Sequence, residues 1–286
     1  MTSEPFEILG AERNGRWVVS CDHASNHVPP EVSGGSLGLS DDEMNRHIAY
    51  DLGAAGVTRA LAHHLNGPAI LSRFSRLVID PNRGEDDPTL IMQLYDGTIV
   101  PHNRSLSPEA RASRIKNYYQ PYHRAVADLL AAREDPILVA IHSFTPKFIG
   151  RRMRPWQVGV LFNHDTRLAA PFITLMRNDR VFADWVEAET GAPLCMGENE
   201  PYAGHLPGDA IDRHALKKGR MNILIELRHD VIETPKQQAA WGERLAGLLG
   251  RALGDAPAQL STDRPSHSAD ASQPETALGR ANETGT

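Results

Sequence analysis

The sequence predicts an α/β fold: a single domain with a mainly parallel or mixed sheet and helices on both faces. Three observations lead there. Short, near-continuous apolar runs rich in Val, Ile and Leu recur along the chain, as strands buried on both faces require. Amphipathic patterns of helical period separate those runs. No self-similarity at solenoid or propeller periods competes with this reading.

In chain order, the first clear strand is 17–21 (WVVSC). A helix follows over about 41–65, capped by Ser40, with Asp41, Asp42 and Glu43 suited to its positive end. Met44, Ile48, Ala55 and Ala62 form its apolar stripe. Short strands are expected at 69–71 and 77–79, then a helix over about 108–132. The run ILVAI at 137–141 is a strand, as are 158–162 and 223–227. Helices over about 167–190 and 235–253 complete the set.

Composition narrows the function. Thirty basic against 36 acidic residues give a net charge of -6, which argues against nucleic-acid binding through bulk positive charge. No apolar run approaches the roughly 18 residues of a membrane span, and the N-terminal stretch lacks the basic and apolar regions of a secretory signal. Cys21 and Cys195 are the only cysteines, so neither a disulfide framework nor a zinc knuckle is indicated, and a cytoplasmic setting is expected. Residues 255–286 are rich in Ser, Ala, Pro and Thr and read as a disordered tail, leaving 5–254 as the folded domain.

In such sheets, ligands sit outside the carboxyl ends of the strands. Three candidates lie there. Strand WVVSC runs into Asp22 and His23, strand ILVAI into His142 and Ser143, and strand ILIEL carries Glu226 near its end. An ionised carboxylate inside an apolar strand needs a metal, a cation or hydrogen bonds. Pairing with Arg228 is one reading of Glu226; a general base or metal-associated carboxylate is the preferred one. Asp51 falls in the apolar stripe of the 41–65 helix, with His47 one turn earlier. Ligation of a metal together with His23 and His142 would supply its partner, leaving a position for water; orienting a histidine is the alternative. His27, followed by two prolines, is the weaker ligand.

Arginines suited to carboxylate recognition come next. Arg73 and Arg76 flank Phe74, and Asn82 and Arg83 follow the 77–79 run. His123 begins or lies within a helix, as either a structural histidine or a donor to a developing oxyanion. The stretch Asn199–Tyr202 has the character of a pocket-lining loop. Gly34-Gly35-Ser36-Leu37-Gly38 matches a nucleophile-elbow spacing but lacks the preceding strand that the motif requires.

Five segments in order carry a family resemblance. They are Cys21-Asp22-His23-Ala24-Ser25-Asn26 with Val28-Pro29-Pro30, Leu77-Val78-Ile79-Asp80-Pro81-Asn82-Arg83, Pro121-Tyr122-His123, Ile141-His142-Ser143-Phe144 and Ile225-Glu226-Leu227-Arg228. Spanning about 17–230, the chain resembles the N-formylglutamate amidohydrolase family. That resemblance implies a zinc-carboxypeptidase-like fold with one metal ion at the strand ends. It also implies hydrolysis of N-formyl-L-glutamate to formate and L-glutamate, the last step in one route of histidine breakdown. By position, His23 and His142 match the strand-end histidines, Asp51 an acidic position in the first helix, and Asn82 with Arg83 a substrate-facing pair. Glu226 stands where a carboxypeptidase-like fold has its general base. Enzymes of the histidine route carry Pro-His-Ser-Gly where this chain has Cys-Asp-His-Ala-Ser-Asn, which makes it similar to a sister branch.

The combined expectation is a hydrolase holding one Zn2+ through His23, Asp51 and His142, with Glu226 as base and His123 assisting at the oxyanion. Arg73, Asn82, Arg83 and Arg228 would bind the carboxylates of a small acidic N-acyl amino acid, with no nucleic-acid or membrane partner. The alternatives are a carboxypeptidase-like or deacylase enzyme on another amide, and a non-catalytic carboxylate-binding protein of the same fold.

Overall fold

The computed structural model describes residues 4–255; residues 256–286, on which the expectation of a disordered tail falls, lie outside the described residues. A seven-stranded sheet organises the described residues. In space its strands run β1 (Phe6–Leu9), β3 (Ala69–Ser72), β2 (Trp17–Cys21), β6 (Ile137–Phe144), β9 (Asn222–Arg228), β7 (Val158–Leu161) and β8 (Met196–Glu198). The four central strands β3, β2, β6 and β9 are mutually parallel. The antiparallel pairings of β1 on β3 and of β7 on β9 make the sheet mixed.

Period-two alternation sends the side chains of these buried strands to two separate cores. Val19, Cys21, Val139, Ile141, Ile223 and Ile225 pack with α2 (Ala54–His64), α5 (Ala169–Asn178), α6 (Arg180–Thr190) and α8 (Pro235–Asp255). Val18, Leu138, Ala140 and Leu224 face the opposite way, toward α4 (Gln120–Ala131) and α7 (Ala210–His214). Each fully buried Leu, Ile or Val on either side contributes about 1.5–3 kcal/mol relative to exposure. The expected α/β sheet with helices on both faces is therefore the fold.

Several expected elements are corrected. The helix read over 41–65 is two: α1 (Asp41–Met44), closed by a Ser40–Glu43 capping box, and α2. Between them Gly53 takes φ +79, and a Cβ there would lie 2.3 Å from the Ile232 carbonyl oxygen, so the turn and the close approach both need glycine. Asp51 therefore sits in the connecting turn rather than on a helix, its amide donating to the His23 carbonyl at 2.9 Å. Helix 167–190 likewise divides at Asp179, whose side chain caps α6. The segment 108–132 is continuous but passes from α3 (Pro108–Arg114) through a π-helical turn at Ile115–Tyr119 into α4. The widened turn lies just ahead of Pro121, which has no N–H for the helical ladder.

The apolar run 77–79 is no strand. It is a fully buried turn, with Val78 N–H donating to the Ser75 carbonyl oxygen at 2.9 Å. Edge strands β1 and β8, and a hairpin of β4 (Leu94–Tyr95) with β5 (Thr98–Ile99), complete the strands. No described helix is long and apolar enough to cross a membrane.

Candidate active site

Sheet register builds the centre of the site. In β6 and β9, His142 lies directly opposite Glu226, and both point to the α4/α7 side, as Ala140 and Leu224 do two residues earlier. Strand β6 runs on to Phe144, so His142 stands within the strand rather than after it. Asp22 and His23 follow the end of β2, the parallel neighbour of β6. On the far side of Glu226, β7 presents Gly159, where a Cβ would come within 2.2 Å of the Glu200 carbonyl oxygen.

His23, Asp51 and His142 converge, all buried, with one ligand atom from each within 4.8 Å of the others. Both Nδ1 atoms approach the same carboxylate oxygen, Asp51 Oδ2, at 3.3 Å from His23 and 2.9 Å from His142. The second ring nitrogens face outward to other carboxylates: His23 Nε2 lies 2.6 Å from Asp80 Oδ1, and His142 Nε2 lies 3.5 Å from Asp22 Oδ2. The Asp80 carboxylate, within hydrogen-bond distance, fixes the orientation of the His23 ring, whereas Asp22 faces His142 as a nearby charge without a hydrogen bond. A cation at the centre would take the place of the protons that otherwise bridge the two Nδ1 atoms to Asp51. The donor set thus fits a divalent ion such as zinc.

Charge shifts follow from the same packing. Burial works against the Asp51 carboxylate, but the charges and hydrogen bonds of His23 and His142 outweigh it and hold Asp51 far below the usual range. Burial likewise opposes a charged His142, yet the facing carboxylates of Asp22 and Asp51 raise its pKa well above an ordinary histidine. Glu226 behaves oppositely. Burial pushes its carboxyl up to about 7, against the charge of His142, and its Oε2 has no hydrogen-bond partner. A buried carboxylate poised near neutrality suits proton transfer.

Beside this centre lies a cavity of about 220 Å³, lined in part by Asp51, Arg76, Asn82, Arg83, Tyr95 and Tyr202. Arg76 is buried and bridges two acids, 2.8 Å from Asp80 and 3.4 Å from Asp51. Arg83 keeps only neutral partners, the Asn82 carbonyl at 2.7 Å and the Thr89 hydroxyl at 3.1 Å. Asn82 accepts the Ala210 amide. Tyr202, on the loop expected to line a pocket, does so.

Two residues expected at the substrate, Arg73 and Arg228, have other partners, and His123, expected at the oxyanion, pairs with a second histidine. Arg73 is half exposed, 3.8 Å from Glu7, and lines a different surface depression. Arg228 is engaged by Asp230 and by the carbonyls of Arg154, Pro155 and Trp156, which makes it a strap between loops. His123 is buried beside His214, Nδ1 to Nε2 at 2.9 Å; like His23, His142 and Glu226, it is not among the side chains lining the cavity. Conversely, the acids that face the two histidines, Asp22 and Asp80, escaped the sequence reading. Each sits inside a segment already singled out, next to His23 or two residues before Asn82, and those adjacencies were the available signal.

Comparison with known proteins agrees with the fold. A solved gene product of Agrobacterium tumefaciens is 31% identical, with a TM-score of 0.78, covering 88% of this chain and 96% of its own. An N-formylglutamate amidohydrolase from Ralstonia eutropha shares the fold at 18% identity and a TM-score of 0.62, covering 88% of this chain and 98% of its own. No curated protein matches the chain. The family model for N-formylglutamate amidohydrolase matches residues 15–233, and the chain belongs to that family.

Proposed function

We propose that this protein is a metal-dependent amidohydrolase that removes the N-formyl, or a similarly small N-acyl, group from an amino acid. N-formyl-L-glutamate is the first substrate to test. The observation that carries the reading is an unpartnered carboxylate, Glu226, directly opposite His142, one member of the two-His, one-Asp donor set. His23, Asp51 and His142 would hold the ion, with Asp80 orienting the His23 imidazole and Asp22 facing that of His142. A zinc ion held there would lower the pKa of a bound water and polarise an amide carbonyl.

The remaining work falls to the chain. Glu226 in its carboxylate form accepts the proton of the attacking water and returns it to the leaving nitrogen. Arg83, beside Asn82, binds a substrate carboxylate through its guanidinium. Arg76, neutralised by Asp51 and Asp80, holds those two acids in place. The small cavity limits the substrate to an amino-acid-sized amide and disfavours a long peptide.

Elemental analysis of the purified protein, with formate release from N-formyl amino acids assayed on the same sample, tests this. About one zinc per chain, as a three-residue site requires, together with formate is the expected result. Metal without formate from any N-formyl amino acid would remove the deformylase reading and favour another amide. Failure to bind zinc, even after its addition, would overturn the metal-dependent mechanism.

A further inference from the structure

The cavity holds a hydrogen-bond donor whose proton no protein group accepts. Tyr202 lines the cavity together with Asp51. Its hydroxyl oxygen accepts a bond from Arg154 Nη1 at 3.0 Å and makes no other hydrogen bond among the described residues. A guanidinium can only donate, so the phenolic proton is left free for a ligand. Burial, and after it the charge of Glu226, raise the Tyr202 pKa, and the hydroxyl keeps its proton at pH 7.

Arg154 is committed to that hydroxyl. No carboxylate lies within salt-bridge distance of it among the described residues. Its guanidinium stacks on Phe148 at 4.0 Å, lies over the rings of Tyr202 and Phe144 at 5.1 and 5.6 Å, and donates to the Thr145 carbonyl at 3.2 Å. A cation that donates to a hydroxyl oxygen draws density from the O–H bond and makes it the stronger donor.

The loop that carries Tyr202 is pressed against the proposed base. Asn199 fastens it to β7, its amide donating to the Val160 carbonyl at 2.9 Å and its Oδ1 accepting the Phe162 amide at 2.9 Å. The Glu200 carbonyl fills the space that a Cβ on Gly159 would need, and Glu226 Cβ lies 3.4 Å from the same point. Tyr202, two residues after Glu200, is thereby held near enough to Glu226 for that charge to act on its hydroxyl. The neighbourhood of Glu226 and Asp51 is that of the reacting amide, while Arg83 serves the substrate carboxylate. His123, the sequence's candidate at the oxyanion, is turned to His214.

We infer that Tyr202 donates the hydrogen bond that stabilises the substrate carbonyl oxygen as it gains negative charge, with Arg154 as the residue that positions and polarises the hydroxyl. This deepens the reading under Proposed function and rests on it for the amide and the attacking water.

Two measurements on zinc-loaded protein test it. Tyr202→Phe keeps the ring and removes the donor; kcat on N-formyl amino acids should fall about 10²–10³-fold, the cost of one oxyanion donor, with KM little changed. Arg154→Met should lower kcat by less, and Arg154→Lys should recover part of that loss. The second measurement is infrared difference spectroscopy of N-formyl-L-glutamate, isotopically labelled at the formyl carbon and bound to Glu226→Gln. Its carbonyl stretch should lie at lower frequency there than on the double variant Glu226→Gln/Tyr202→Phe. Unchanged kcat in Tyr202→Phe overturns the inference and leaves the deformylase reading intact. So does a rise in KM alone, which would place the hydroxyl on a substrate carboxylate. If the wild type releases no formate while the carbonyl band still depends on Tyr202, the donor contact stands and the deformylase reading falls. A band indifferent to Tyr202 overturns the inference in either case.

Discussion

The two faces of the central strands are made by alternate residues of the same segments, yet they do opposite work. On one face, Val19, Cys21, Val139, Ile141, Ile223 and Ile225 form an unbroken dry core with α2, α5, α6 and α8. On the other, the apolar run of Val18, Leu138, Ala140 and Leu224 gives way at the carboxyl ends to Asp22, His142 and Glu226. At the carboxyl ends of the strands, parity therefore decides whether a residue joins the core under α2, α5, α6 and α8 or faces the candidate site. Neighbours such as Ile225 and Glu226 should separate cleanly in experiment.

The sharpest break of that contrast is Glu226→Gln. Loss of a positioned proton-transfer group should lower kcat by about 10²–10⁴-fold, while elemental analysis finds the metal still bound. A variant that keeps wild-type kcat would remove Glu226 as the base. Its neighbour gives the converse. Ile225→Ala truncates a fully buried side chain on the dry face and should cost about 2–5 kcal/mol of stability in denaturant unfolding. Its kcat at a permissive temperature should stay near wild type; a large loss of kcat in folded protein would show that the faces are not independent.

Metal-free protein offers a third probe. Folding raises the Glu226 carboxyl from 4.5 to about 7, so the folded chain keeps a proton that the unfolded chain releases between those values. This group's contribution is therefore fully present below 4.5 and is lost as pH rises through 7, by about 3 kcal/mol at most. Glu226→Gln should flatten that decline and be the more stable protein at pH 8 without metal. Identical melting profiles against pH for the two would refute it.

Smaller effects test the outer ring. Asp80→Asn leaves His23 without its charged orienting partner and should weaken zinc binding about 10–100-fold, measured by competition with a chelator. Unchanged affinity would reduce Asp80 to a partner of Arg76. Arg73→Ala, which touches only the surface near Glu7, should change KM by no more than about twofold. A larger rise would bring Arg73 back to the substrate.

The strands at 17–21, 137–141, 158–162 and 223–227 were legible because central, doubly buried strands must be almost wholly apolar. His23, His142 and Glu226 stood out as the polar exceptions at their ends. Periodicity misplaced Asp51 on a helix, since residue spacing carries no trace of Gly53 at φ +79 or of its packing on Ile232. The run 77–79 is apolar because it is buried, and burial alone does not tell a strand from a turn. Strands β1 and β8 escaped because edge strands, partly exposed, need no apolar run.

By itself, then, the sequence determined the α/β class, the order of its central strands along the chain and the chemistry available at their ends. Those follow from local composition and alternation. Only the tertiary structure decided that Arg76 rather than Arg73 faces the cavity, that Asp80 hydrogen-bonds His23 while Asp22 faces His142, and that His123 pairs with His214. Each of these depends on which distant segments the sheet brings within a few ångströms, and contact at that range is set by packing rather than by any residue's neighbours in sequence.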